Sequence, residues 1–462
     1  MVKLLENRYP DLAVPPAGFV ASQGRWKVLA AREMPTLHAS LRTDRWVTES
    51  IDFLEHLFIS YPRRDFQVRL WDGTVWGGNK SRYTLVLRHP GALRKMFTSP
   101  SELTLGEGYI FDDFDIEGDI EASLELGDYL LSQERSMSKR LYLSMLLGRL
   151  PTTARPRIVP RAVRLRGAAH TRRRDREAIR YHYDLPPAFY ALFLDRRMLY
   201  SCAYFETAAD GLEIAQEHKL DYICRKLRLR NEENFLDIGC GWGALVTHAA
   251  AHYGVRARGI TLSEAQAEVA RQRIRDMGLG SRCQVDVLDY RDLKTDRQFD
   301  KIASIGMFEH VGEEHLTEYF ARTWQLLHRG GAFLNVGIAA SEGYQREGPS
   351  FIDRYVFPDG DLVPLNVTLG AAEKNAFEVK DVENLREHYA LTLHHWVRRL
   401  EGRADEARRL TDDTIYRTWR LYMAASAHRF RSGNMNLYQT LLVKPLNGKS
   451  ALPLTRADWY CA

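Results

Sequence analysis

At 462 residues the chain is long enough for two domains with full cores, and a composition 45% hydrophobic and 27% charged is that of a globular protein, not a disordered or fibrous one. A net charge of only +5 gives no general polyanion-binding character, so no nucleic-acid partner is expected. Cys202, Cys224, Cys240, Cys283 and Cys461 form no CxxC pair, which argues against a disulfide framework or a zinc ribbon and for a reducing, cytoplasmic setting; no metal site is expected.

No stretch approaches the roughly 20 apolar residues of a membrane span, and the opening MVKLLENRYP lacks the apolar core of a signal peptide. Alternating stretches at 66 to 76 and 83 to 89 predict short strands, and helical patterns follow near 91 to 97 and 119 to 133. Together they describe a smaller α+β domain over residues 1–150. Its acidic run FDDFDIEGD (111 to 119) resembles the start of a calcium loop, but Leu124 stands where the closing acid belongs, so a helix start with an acidic first turn is the better reading. From Arg155 to Arg180 arginine dominates, opposed only by Asp175 and Glu177, and prolines 151, 156 and 160 interrupt any helix. Residues 151–180 are therefore read as an Arg-rich linker, one that could also meet anionic lipid headgroups.

Beyond it, strand candidates at 234 to 238, 256 to 262, 283 to 288, 299 to 306 and 331 to 338 alternate with amphipathic stretches, notably 263 to 277 and 313 to 328. That pattern predicts an α/β domain over residues 181–462, a doubly wound parallel sheet with its ligand at the strand carboxyl ends. FLDIGCGWGALV (235 to 246) supplies a glycine-rich turn at the first such end. It is not a phosphate loop, because no lysine follows. It is not a dinucleotide fingerprint either: Gly239, Gly241 and Gly243 give GxGxG, and the second strand ends in GITLS without the ribose-binding acid. A compact loop preceded by Asp237 suits a ligand that carries a cationic amino acid and no phosphates.

LDIGCGWG resembles the first motif of class I S-adenosylmethionine methyltransferases. More narrowly, YHYDLPPAFYALFLDRRMLYSCAYF (181 to 205), GITLSEAQ, GMFEHVG, FIDRYVFPDGDL and HRFRSGNMNLYQ resemble the cyclopropane-fatty-acid synthase family, in family order and spacing. GEGYIFDDFD is a looser likeness to that family's lipid-associated N-terminal domain.

The resemblance implies a class I methyltransferase, Rossmann-like fold and S-adenosylmethionine as cofactor. Gly239, Gly241 and Gly243 would approach its methionine part, with Asp237 before them. Tyr200 and Ser201 would meet its carboxylate end, Thr261, Leu262 and Gln266 the ribose, and Asp289 and Tyr290 the adenine. The substrate it implies is the cis double bond of an unsaturated phospholipid acyl chain, reached at the inner face of the membrane by a peripheral enzyme that forms a homodimer or higher oligomer. A neutral alkene attacking the sulfonium methyl leaves a carbocation, which aromatic faces stabilise and a positioned base must deprotonate. Aromatic residues for this task are dense between Tyr181 and Phe205. In the family a bicarbonate ion is the base, and the matching residues here are Cys202, Glu309, Ile338 and Tyr389, with His310 beside Glu309. Where the family reads FLLHTIG, this chain reads FLNVGIA, placing Val336 at the histidine position with Asn335 next to it. A cyclopropane ring is the expected product; a methylene or methyl branch from the same chemistry is the alternative. A small-molecule O- or N-methyltransferase and an inactive lipid-binding relative remain further readings.

Overall fold

The structure, a computed structural model, describes residues 44–63, 65–132, 136–152, 170–183, 185–294, 298–341 and 350–460. The first 43 residues, the arginines between 155 and 169 and Cys461 lie outside this range. Strands β1 (Phe66–Arg69), β2 (Val75–Gly77) and β3 (Tyr83–Leu87) form where alternation predicts them, and β4 (Phe114–Gly118) completes a sheet of order β2-β1-β3-β4. β1 and β3 run parallel and the other neighbours antiparallel. Helices Arg45–Phe58, Ala92–Phe97, Glu102–Ile110, Ile120–Ser132 and Met137–Arg149 accompany the sheet.

The acidic run corrects one expectation. Only Asp119 acts at a helix start, accepting from the Ala122 amide at 3.0 Å; residues 114 to 118 are β4. Asp112 and Asp115 each accept from Arg417 at 2.8 Å, and Arg88 pairs with the same two acids. Arg417 lies on the helix Asp413–Ser432, which also sends Arg420 to the Tyr109 hydroxyl at 2.8 Å. The acids thus bind the N-terminal sheet to the C-terminal helices. Both arginines are buried, and such pairs fix register more than they add stability.

The larger sheet has seven strands in the order β10-β11-β9-β8-β5-β6-β7. β5 (Asn234–Ile238), β6 (Arg256–Thr261), β7 (Cys283–Val287), β8 (Phe299–Ile305) and β9 (Leu327–Ala340) are parallel and match the predicted strands. β10 (Glu378–Asn384) and β11 (Met435–Val443) were not predicted, and β11 runs antiparallel to both neighbours, so the sheet is mostly rather than wholly parallel. The linker expectation is corrected at its end. The described residues from Arg172 to Tyr183 form a helix. Arg172 pairs with Asp292 at 2.7 Å, and Arg174 grips Asp359 through two bonds of 2.5 and 2.6 Å. Among the described residues, no helix is long and apolar enough to cross a membrane.

Candidate active site

Two cavities meet at the carboxyl ends of β5, β6 and β8. The first, of about 150 Å3, is lined by ten of the eleven residues expected to hold the cofactor: Tyr200, Ser201, Asp237, Gly239, Gly241, Thr261, Leu262, Gln266, Asp289 and Tyr290. Gly241 has φ +53° and nothing within 4 Å of where a Cβ would stand, so its backbone is open to the cavity. Gly243 does not line it. A Cβ at Gly243 would come 2.8 Å from the Ala270 Cβ, so this glycine lets the helices Ala244–Tyr253 and Glu264–Asp276 pack closely. Its expected cofactor contact is therefore corrected to a packing role.

Thr261 and Gln266 are set in place by each other, the Thr261 hydroxyl donating to the Gln266 Oε1 at 2.9 Å, and Ser263 caps the helix that carries Gln266. The Asp289 carboxylate already accepts from Arg291 on both oxygens, at 2.9 and 2.7 Å, and Arg291 also reaches Asp175 at 2.9 Å. This chain of charges holds the helix Arg172–Tyr183 against the cavity, which Asp175, Ile179 and Tyr183 help to line. Burial raises the Asp289 carboxyl, but the bonds from Arg291 outweigh it and keep it below its ordinary range.

Asp237 is buried, and its Oδ1 has no hydrogen-bond partner among the described residues. Burial pushes its carboxyl up to about 7 against the pull of Lys219. Lys219 was not foreseen. It lies on the helix Leu212–Leu227, is buried, and donates to the Ser201 Oγ at 2.8 Å. Burial pushes it down to about 8, while Asp195, Cys202 and Asp237 act in the opposite sense. The signal was present in the sequence: Leu212, Ala215, Lys219, Leu220, Ile223 and Leu227 share the helical period of a buried stripe, and a lysine inside such a stripe needs a task.

The second cavity, of about 360 Å3, brings together all five expected catalytic residues, Cys202, Glu309, His310, Ile338 and Tyr389. Tyr183, Tyr200, Ser201, Lys219, Gly306 and His310 line both cavities and form the wall between them. Glu309 keeps some access to the cavity, while its carboxylate lies deep. Oε1 accepts from the Ile338 amide at 2.8 Å, and Oε2 is buried with no partner among the described residues. Burial pushes it up to about 7 although backbone hydrogen bonds oppose the shift. Burial also pushes His310 down to about 4, so its imidazole is neutral at pH 7, and pushes the Cys202 thiol up to about 12.

The strand pleat decides the question raised at the missing histidine. Val336, Ile338 and Ala340 of β9 line the second cavity, as do Met435, Leu437 and Gln439 of β11. Asn335 points to the other side, where its Oδ1 accepts from Tyr319 at 2.8 Å. Val336 pairs across the strands with Gln439, a buried amide that sequence reasoning missed. Of the aromatics between residues 181 and 205, Tyr183 and Tyr200 reach the cavities, whereas Phe189, Tyr190 and Phe193 are fully buried core. Phe357, Tyr389, Tyr422 and Phe430 supply the rest of the aromatic wall, and Tyr200 donates to the Tyr422 hydroxyl at 3.4 Å.

Comparison with known proteins places this geometry. Residues 170–440 match the family model described as mycolic acid cyclopropane synthetase, and residues 53–137 match one described only as a domain of unknown function. The chain is 40% identical over 400 residues to a probable fatty acid methyltransferase of Pseudomonas putida, covering 85% of this chain and 96% of that one. It is 32% identical over 387 residues to the tuberculostearic acid methyltransferase UfaA1 of Mycobacterium tuberculosis, covering 81% and 86%. The structure of mycolic acid cyclopropane synthase CmaA1 complexed with SAH and CTAB is 33% identical, with a TM-score of 0.55 over 58% of this chain and 97% of that one. The chain belongs to the mycolic acid cyclopropane synthetase family and is an S-adenosylmethionine-dependent, lipid-modifying methyltransferase.

Proposed function

We propose that this enzyme methylates the cis double bond of an unsaturated phospholipid acyl chain and that Glu309 takes the proton released. The observation that carries the reading is the unpartnered Glu309 Oε2 in an aromatic-walled cavity that shares one wall with the cofactor cavity. The cofactor cavity fits S-adenosylmethionine: Asp237 Oδ1 is an orphaned acceptor for an ammonium, and Lys219 and Ser201 offer donors for a carboxylate. When bound, S-adenosylmethionine supplies an electrophilic methyl group. Tyr183, Tyr200, Phe357, Tyr389, Tyr422 and Phe430 line the cavity, exclude water from the acyl chain and surround with aromatic rings the cation that forms on it. A carboxyl titrating near 7 is poised to accept a proton at neutral pH.

The residues present fit a bicarbonate ion poorly. The Cys202 thiol donates to the backbone carbonyls of Ala203 and Leu385, the Ile338 amide is engaged by Glu309, and Val336 has no donor. Proton transfer is therefore assigned to Glu309 directly. Loss of the proton while the cation lies beside the new methyl closes a cyclopropane ring. The second reading is a methylene branch, formed when a hydride first shifts to the cationic carbon and the new methyl then gives its proton to Glu309; a saturated methyl branch would need a hydride donor as well. That reading is favoured by Val336 at the histidine position and by relatives that share most of the chain and are named probable fatty acid methyltransferases.

The enzyme acts peripherally on the inner face of an anionic membrane as a homodimer or higher assembly, with residues 1–150 as a lipid-associated domain. Release of S-adenosylhomocysteine in the presence of dioleoyl phospholipid, and none with its saturated counterpart, is the expected result. Equal release with both lipids, or methylation of water-soluble acceptors in preference to lipid, would overturn the proposal.

A further inference from the structure

Tyr200 and Ser201 reach the cofactor cavity from a segment, residues 195–201, that forms neither helix nor strand. Such a loop keeps one shape only where other groups fix its backbone. Asp195, itself buried, does part of this: its Oδ2 accepts from the Arg197 amide at 2.9 Å and its Oδ1 from the Leu199 amide at 2.7 Å. Between those amides Met198 stands at φ +60°, a left-handed conformation that costs a residue with a side chain and persists where its surroundings enforce it. From the helix Leu212–Leu227 the fully buried Gln216 adds its Nε2, which donates to the Ser201 carbonyl at 3.0 Å and the Leu199 carbonyl at 3.4 Å. Met198, Leu199, Tyr200 and Ser201 all line the cavity.

The glycine turn forms another part of the same wall, through Gly239, Cys240, Gly241 and Trp242. One side chain joins it to the loop. Arg273 lies on the helix Glu264–Asp276, one turn beyond Ala270, the residue that Gly243 allows to come close. Its Nη1 carries two hydrogens, and the carbonyls that accept from this nitrogen are those of Arg197, at 2.9 Å, and Trp242, at 3.0 Å. The first belongs to the loop and the second to the glycine turn. Burial pulls the guanidinium below its ordinary range, Asp195 opposes that shift and Arg197 adds to it. A rigid, planar guanidinium placed in this way holds two stretches of backbone at one separation.

We propose that Arg273 is a positioning residue for the cofactor: by tying the loop of Tyr200 and Ser201 to the glycine turn, it sets the width of the slot for the amino-acid end of S-adenosylmethionine. Arg273 lines neither cavity, so its effect passes through the two stretches it joins. Thr261, Asp289 and Tyr290, assigned to the adenosine side, lie outside this tie. A slot that loosens therefore loses its hold on one end of the ligand and keeps it on the other. The inference rests on placing the amino-acid end between the loop and the turn.

The test compares the full chain with its Arg273→Met and Arg273→Lys variants. Titration calorimetry with S-adenosylhomocysteine and with 5′-methylthioadenosine, which lacks the amino-acid end, is paired with hydrogen–deuterium exchange of the ligand-free proteins. Arg273→Met should bind S-adenosylhomocysteine about tenfold more weakly, the scale for losing bonds that preorganise a site, and 5′-methylthioadenosine within about twofold of wild type. Peptides that cover residues 195–201 and 239–243 should exchange faster in it, with β6 unchanged. Arg273→Lys keeps a cation with several donors on a shorter stem and should fall between the two; if Arg273→Met does not fold, selective weakening in Arg273→Lys decides the same question. Unchanged affinity for S-adenosylhomocysteine would overturn the proposal. Equal weakening of both ligands, with faster exchange along the helix Glu264–Asp276, would overturn it too and make Arg273 a stabiliser of that helix. Wild-type enzyme that binds both ligands equally would remove the placement of the amino-acid end, and the slot with it. Selective weakening in Lys219→Met but not in the Arg273 variants would keep that placement and remove only the role of Arg273.

Discussion

Lys219→Met removes the ammonium that donates to Ser201 in the wall shared by the two cavities. A hydrogen bond that involves a charged group contributes about 1.5–3 kcal/mol. At roughly 1.4 kcal/mol per tenfold, S-adenosylhomocysteine should bind about 10- to 100-fold more weakly to the variant. 5′-Methylthioadenosine lacks the amino-acid end, so its affinity should stay within about twofold. The pH dependence carries a second signature. Lys219 loses its charge as pH rises through about 8, and Asp237 loses its charge as pH falls through about 7. Wild-type affinity for S-adenosylhomocysteine should therefore decline on both sides of that window, and the variant should lack the alkaline decline. Titration calorimetry of both ligands between pH 6 and 9 reads all of this. Equal weakening of both ligands, accompanied by a lower Tm, would refute the reasoning and leave Lys219 a structural residue.

Glu309→Gln should keep S-adenosylhomocysteine affinity within a few fold while turnover falls by roughly 100-fold or more, and the rise of wild-type kcat through pH 7 should vanish with it. Because burial raises the folded-state pKa of Glu309, its contribution to stability is fully present below the ordinary glutamate range and is lost as pH rises through about 7; thermal melts at pH 8 should therefore find Glu309→Gln at least as stable as wild type, and a clear loss would contradict the burial argument. Gly241→Val should abolish cofactor binding and lower Tm through its strained backbone at φ +53°, and Gly243→Val, strained at φ +80° and with a Cβ that would also strike Ala270, should lower Tm more than any other variant here. Wild-type turnover in carbonate-depleted buffer should stay within about twofold on adding bicarbonate, and Val336→His should confer a dependence and raise the cyclopropane share seen as upfield ring-methylene signals in proton NMR of the lipid. A strong bicarbonate response of the wild type would restore the ion to the site.

The parallel strands and the loop after β5 were legible because their cues are local: apolar runs bounded by turns, and glycines at fixed spacing. β11 escaped because its meaning is topological. MNLYQTLLV reads as a strand, but nothing in it says that it inserts antiparallel between β9 and β10. The acidic run misled for a related reason, since Arg417, the partner that ties Asp112 and Asp115 to the C-terminal helices, lies some 300 residues away. At the site, Gly243 and Gly241 look equivalent in GxGxG, and only the position of Ala270 separates packing from ligand approach. Lys219 and Tyr422 sit on helices whose apolar period explains their neighbours, and their roles emerged once those helices were docked. Asn335 and Val336 could be told apart only by the register of β9 against β11.

The central claim is that the incoming methyl group loses one hydrogen to Glu309 on the acyl chain. It is tested most directly with S-adenosylmethionine carrying a fully deuterated methyl group, dioleoyl phosphatidylglycerol vesicles, and mass spectrometry of the released fatty acids. The expected result is a one-carbon increase at the former double bond with two of the three deuteriums retained, for the ring and the methylene branch alike, and loss of this product in Glu309→Gln. Retention of all three deuteriums, or a labelled headgroup with an unlabelled acyl chain, would contradict it.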